Sequence, residues 1–73
     1  MDKSIYTKTY ARLIGKLKKA REEAKLKQKD VAKRLKRTQS YVSKIESGQS
    51  RLDIVQLKEI AQVYKKNLEF FIK

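Results

Sequence analysis

The sequence predicts an all-α domain, five helices packed in one compact unit. Two glycines and no proline in 73 residues suit packed helices better than a turn-rich sheet. Apolar residues recur at three- and four-residue spacings through most of the chain, the period of a helix with one buried face. Thr38, Asp53 and Asn67, small polar residues that favour helix starts, stand just before three of these periodic runs. No internal repeat or low-complexity linker divides the chain, so residues 1–73 are expected to form a single domain. A chain this short buries only about 60% of its unfolded surface, which leaves a small core.

Tyr10, Leu13, Ile14, Leu17, Ala20 and Ala24 predict a first helix from Thr9 to Ala24. Ile5 and Tyr6 either extend it or sit on a docked N-terminal arm within residues 1–8. Leu26 falls in the break that follows. Val31, Ala32 and Leu35 predict a short second helix from Gln28 to Leu35. Thr38 caps a third helix that ends near Ser47, with Gly48 supplying the left-handed terminus. Asp53 caps a fourth, whose apolar face holds Ile54, Leu57, Ile60, Ala61 and Tyr64. Asn67 caps a last short turn, Leu68 to Ile72, within the C-terminal segment 67–73.

Composition narrows the function. Cysteine and histidine are both absent, which removes disulfides, zinc sites built on either residue, thiol nucleophiles and a histidine general base. The Lys, Tyr and Ser side chains and eight carboxylates that remain form no catalytic motif, so no enzyme, metal or cofactor is expected. No run of about 18 apolar residues predicts a membrane span, and no signal-peptide core lies near the N-terminus. The chain reads as cytoplasmic. Twenty Lys and Arg against eight acids give a net charge of +12. Residues 1–52 hold 16 basic and 5 acidic residues, a net of +11, against +1 for residues 53–73. A basic N-terminal two-thirds predicts one face for a polyanion. At 73 residues there is no length for a separate ligand-sensing domain, so small-molecule control would need another chain or a longer form.

The stretch TQSYVSKIESGQ, Thr38 to Gln49, has only three clearly apolar residues, Tyr41, Val42 and Ile45. At about 100° per residue, Val42 and Ile45 fix the inward direction. Ser40, Ser43, Lys44 and Ser47 then point outward, with Gln39, Tyr41 and Glu46 on the flanks. Short side chains let a helix backbone approach a partner closely. Glutamine pairs bidentately with adenine, serine reaches many base edges, and lysine suits phosphate or guanine. Such a surface on a segment of net charge +11 is suited to the DNA major groove. About three residues separate the second and third helices, the connection of a helix-turn-helix over residues 28–47. Gln28 opens the second helix, where its side chain and free N–H groups can meet a phosphate oxygen.

The run AREEAKLKQKDVAKRLKRTQSYVSKIESGQSRLDIVQLKEIA, Ala20 to Ala61, resembles the lambda-repressor/Cro-like helix-turn-helix domain, also called the xenobiotic-response-element type. The shared positions are Arg21, Gln28, Val31, Ala32, Leu35, Gln39, Ser40, Ser43, Ile45, Glu46, Gly48 and residues 51–53. The resemblance implies a compact five-helix lambda-repressor-like fold in which the first helix buttresses the motif and the second crosses the DNA backbone. It implies base reading by Gln39, Ser40, Ser43 and Lys44, and phosphate contact by the loop Gln49 to Arg51. With Gln28, Arg37 and Thr38, these make the candidate DNA-binding set. Lys36 is a further expected phosphate neighbour, and Tyr41 is either packing or a phosphate donor. Arg21 and Glu46 fall where the family has an ion pair that sets the angle of the recognition helix.

The chain also departs from the family pattern. Lys25 and Lys36 stand where glycine is usual after the first two helices, and Lys27 replaces the usual Ser or Thr cap of the second. A left-handed backbone costs a non-glycine residue about 1–2 kcal/mol, and a lost cap about 1 kcal/mol. At the C-terminus, Leu68 and Phe71 are expected to help close the core. Phe70, Phe71 and Ile72 are together the candidate dimer contact. These features predict a dimeric, sequence-specific DNA-binding regulator, a repressor or autoregulator on a two-fold-related operator, with half-sites about 10–10.5 bp apart or a multiple. RNA polymerase is one expected protein contact. Two rivals stand beside it: an antitoxin-type module whose main ligand is a partner protein such as a toxin, and a charge-driven binder of RNA or a membrane surface.

Overall fold

The computed structural model describes residues 8–72, which form five helices and, among those residues, no strand. They are α1 (Lys8–Glu23), α2 (Gln28–Leu35), α3 (Gln39–Glu46), α4 (Ile54–Val63) and α5 (Leu68–Ile72). Ile5 and Tyr6 lie outside the described residues. Helix α1 is shifted by one residue from the expected span at each end, because Ala24 keeps a helical hydrogen bond to Ala20 while already in the turn.

One core joins all five elements. Ile14, Leu17 and Ala20 of α1 meet Val31 and Ala32 of α2 and Val42 and Ile45 of α3. Leu57, Ile60 and Ala61 from α4, Tyr64 at the C-cap of that helix and Phe71 from α5 complete it. Helix α2 packs on α3 and α4, while α1 packs on α3 and α5. Two expectations are corrected. Ile54 is 57% exposed, because it sits in the first turn of α4, about 70° from the centre of the buried stripe. Phe71 is 2% exposed and closes the core as expected, which removes it from the candidate dimer contact. Phe70 is half-buried, edge-on to Phe71 at 5.0 Å and covered by the Lys66 ammonium at 4.5 Å. Of the three, Ile72 alone is largely exposed, at 62%.

The helix starts follow local chemistry. Thr38 Oγ1 accepts from the Tyr41 N–H, and Asn67 Oδ1 from the Phe70 N–H. Asp53 and Gln56 exchange side-chain bonds with each other's N–H, at 2.7 and 3.0 Å, a reciprocal cap. Lys27 occupies the corresponding place before α2, but an ammonium has no lone pair to accept with. Only the reverse half forms there: Asp30 Oδ2 accepts from the Lys27 N–H at 2.9 Å.

The helix ends share one geometry. After α1, α2, α3 and α4, one residue adopts positive φ: Lys25 (60°), Lys36 (59°), Gly48 (84°) and Lys65 (57°). The N–H of the next residue then reaches back five positions: Leu26 to Arg21, Arg37 to Ala32, Gln49 to Lys44 and Lys66 to Ala61. These are the bonds of a Schellman end. Glycine takes this backbone freely, and lysine does so under strain. Set against the extra chain entropy that glycine loses on folding, each of Lys25→Gly, Lys36→Gly and Lys65→Gly should stabilise by about 0.5–1 kcal/mol. Thermal unfolding followed by circular dichroism should show a rise of several degrees for each, since about 1 kcal/mol moves a domain of this size by about 4–8 °C. A fall in all three would refute the strain argument.

Candidate nucleic-acid interface

Helices α2 and α3 are joined by Lys36, Arg37 and Thr38, the short turn expected of a helix-turn-helix. The first of these ends α2 in a left-handed turn and the last caps α3, so both sides of the connection are pinned. Val42 and Ile45 of α3 face the core, and Glu46 is buried with them at 4% exposure. Gln39, Ser40, Ser43 and Lys44 are all exposed, as is Ser47 at the helix end. The outer face of α3 therefore carries an amide, small hydroxyls and one cation.

Glu46 was expected on a flank, and its burial has a clear cause. Arg21 of α1 donates to it through Nε (2.8 Å to Oε2) and Nη2 (3.1 Å to Oε1). Gln28 of α2 donates a third bond, Nε2 to Oε1, at 3.0 Å. The remaining arm of the guanidinium, Nη1, donates to the Leu26 carbonyl at 3.0 Å in the turn between α1 and α2. Three helices and a turn thus meet at one carboxylate. The hydrogen bonds to Glu46 hold the Arg21 proton more firmly than usual, against the opposing effect of burial. Burial also raises the Tyr64 phenol above its ordinary 10.0, with the Glu46 charge adding to the effect and Arg21 opposing it.

The other candidates are distributed around this frame. Gln28 opens α2 as expected, but its amide is engaged with Glu46 and does not stand free. Arg37 is exposed, and its guanidinium lies 5.0 Å from the centre of the Tyr41 ring. That ring also packs against the core. Thr38 is exposed, and its side-chain oxygen accepts the cap bond from the Tyr41 N–H. Gln49 and Arg51 are exposed on the α3–α4 loop.

Sequence reasoning missed what holds that loop. The Tyr10 hydroxyl donates to the Ser50 carbonyl (3.2 Å) and accepts from the Leu52 N–H (3.1 Å). The residues involved are 40 and 42 positions apart, so no local pattern announces the contact. No group of His, Cys, Asp and Glu able to hold a metal occurs among the described residues. None of their helices is long and apolar enough to cross a membrane.

A helix-turn-helix family sequence model matches residues 17–71. The match starts inside α1 and leaves the first turns of that helix, Tyr10 among them, ahead of it. No curated protein and no solved structure matches.

Two outcomes follow from the buried polar cluster. Arg21→Ala should destabilise by about 3–5 kcal/mol, because it strands a buried carboxylate, whereas Arg21→Met with Glu46→Leu should recover most of the loss. Urea unfolding of the three proteins checks this, and a single variant as stable as wild type would contradict it. For Tyr64 the folded state holds the proton more tightly than the unfolded chain. Its contribution is thus complete below pH 10 and is lost as pH rises above that value, at up to about 1.4 kcal/mol per pH unit. Tyr64→Phe should show a shallower alkaline loss of stability than wild type above pH 10.

Proposed function

Since the chain belongs to the Cro/C1-type helix-turn-helix family, a family of DNA-binding domains and not of enzymes, we propose that it is a sequence-specific regulator of transcription. In this reading α3 lies in the major groove of duplex DNA. The observation that carries it is the split of α3 into a buried edge, Val42, Ile45 and Glu46, and an exposed face of Gln39, Ser40, Ser43 and Lys44. Gln39 is placed to pair with adenine through its amide, and the two serines let the helix sit deep in the groove. Lys44 reaches guanine or phosphate.

Phosphate contact falls to the groups around this face. Lys36 and Arg37 in the turn, and Gln49 and Arg51 in the loop, are exposed on either side of α3. Helix α2 brings its first-turn N–H groups to the backbone. The Gln28 amide nitrogen carries two protons, so it can keep its bond to Glu46 and offer the second to a phosphate oxygen. The net charge of +12 supports rapid, salt-sensitive association with a polyanion.

In this reading the regulator acts as a homodimer on a two-fold-related operator, by promoter occlusion or by polymerase contact. Support for self-contact comes from three exposed apolar side chains outside α3: Ile54, Val55 and Ile72. The same side chains also favour a second reading, an antitoxin-type module that holds a partner protein. Sedimentation of the protein alone, with and without duplex, separates a pre-formed dimer from a monomer that awaits a partner.

Selection of binding sites from random duplex DNA at about 150 mM salt tests the main reading. Wild type should enrich a two-fold motif, and a Gln39→Ala/Ser43→Ala variant should blur it. The variant's affinity for the selected site should fall about 10- to 100-fold, while weak binding to any DNA at low salt persists. Equal, motif-free enrichment by both proteins would mean that charge binds and the helix does not read.

A further inference from the structure

We propose that Tyr10 is a positioning residue for DNA recognition: its hydroxyl sets the α3–α4 loop so that Gln49 and Arg51 meet the phosphate backbone. This rests on the reading of that loop as a phosphate contact. The loop is tied at its start, where Gln49 and Ser50 donate N–H bonds to the Lys44 carbonyl. It is tied at its end by the reciprocal Asp53–Gln56 cap. Between these ties the Tyr10 oxygen takes the Ser50 carbonyl and the Leu52 N–H together.

These two groups flank Arg51. A single phenol oxygen therefore holds the backbone on both sides of this exposed residue. Tyrosine suits the place because its hydroxyl donates and accepts at once, while its ring packs against the core. Without these bonds the backbone on both sides of Arg51 is released, and the phosphate contact that its position allows is lost. Tyr10 precedes the stretch that matches the family. The clamp thus joins a residue ahead of the matched stretch to two backbone groups within it.

The effect should appear in phosphate contact and not in base reading, and Tyr10→Phe isolates it because the ring stays in the core. Wild type, Tyr10→Phe, Arg51→Ala and the double variant would be titrated against the duplex that wild type selects, from about 75 to 300 mM salt. Tyr10→Phe should bind about five-fold more weakly at 150 mM, the worth of one phosphate contact at that salt. Its plot of log affinity against log salt should be flatter by about 0.9, one phosphate contact, with the selected motif unchanged. The double variant should be no weaker than Arg51→Ala. The assignment fails if Tyr10→Phe binds like wild type or if the two losses multiply. It also fails if the loss is the same at every salt concentration and follows a drop in melting temperature. A wild type that selects no motif at all would instead bring down the DNA reading itself.

Discussion

A carboxylate cannot be buried in a small helical core unless donors surround it, and Glu46 is the point on which this domain is organised. Its two oxygens take bonds from Arg21 on α1 and Gln28 on α2, while Arg21 also holds the Leu26 carbonyl in the intervening turn. Such a cluster is a weak source of net stability, since apolar residues of similar size often do as well. It is strict about geometry. Moving α3 along or around its axis would pull the carboxylate away from its donors and leave charge without partners in the interior.

That strictness governs the outer face of α3. With Val42, Ile45 and Glu46 all turned inward, the rotation of the helix is fixed and the remaining residues have one way to point. Two apolar contacts alone would define a helix this short only loosely. The cap at Thr38 and the left-handed end at Gly48 fix its length in the same way. The exposed face is therefore a surface held from behind, and the charged turn and loop lie at its two ends.

Local features were legible in the sequence. Thr38, Asp53 and Asn67 announce helix starts because a cap bonds within three residues of itself. Helical spacing located the core on α1, α2 and α3. Ile54 was misplaced because a periodic pattern says which way a residue faces but not where the neighbouring helices stop. Phe71 was expected both in the core and in a dimer contact, because sequence cannot say which of the three adjacent apolar residues 70–72 in a five-residue helix turns inward. The Arg21–Glu46 pairing was suggested only by family resemblance. The Gln28 bond to Glu46 and the Tyr10 clamp had no sequence signature, since each depends on tertiary placement. Lys65 repeats the geometry of Lys25 and Lys36 but went unnoticed, although a helix end just before the Asn67 cap could have suggested it.

The three left-handed lysines have a consequence for the protein as a thermodynamic system. Glycine at Lys25, Lys36 and Lys65 would ease the backbone but remove three of the twenty cations. Keeping them leaves a folded state that is strained at its helix ends and repelled by its own charge. Any polyanion that binds the native form relieves the repulsion, and by linkage it stabilises that form more as its concentration rises above its dissociation constant. Folding and ligand binding in this chain are thus coupled equilibria. The domain holds its shape most firmly when it is neutralised by its partner.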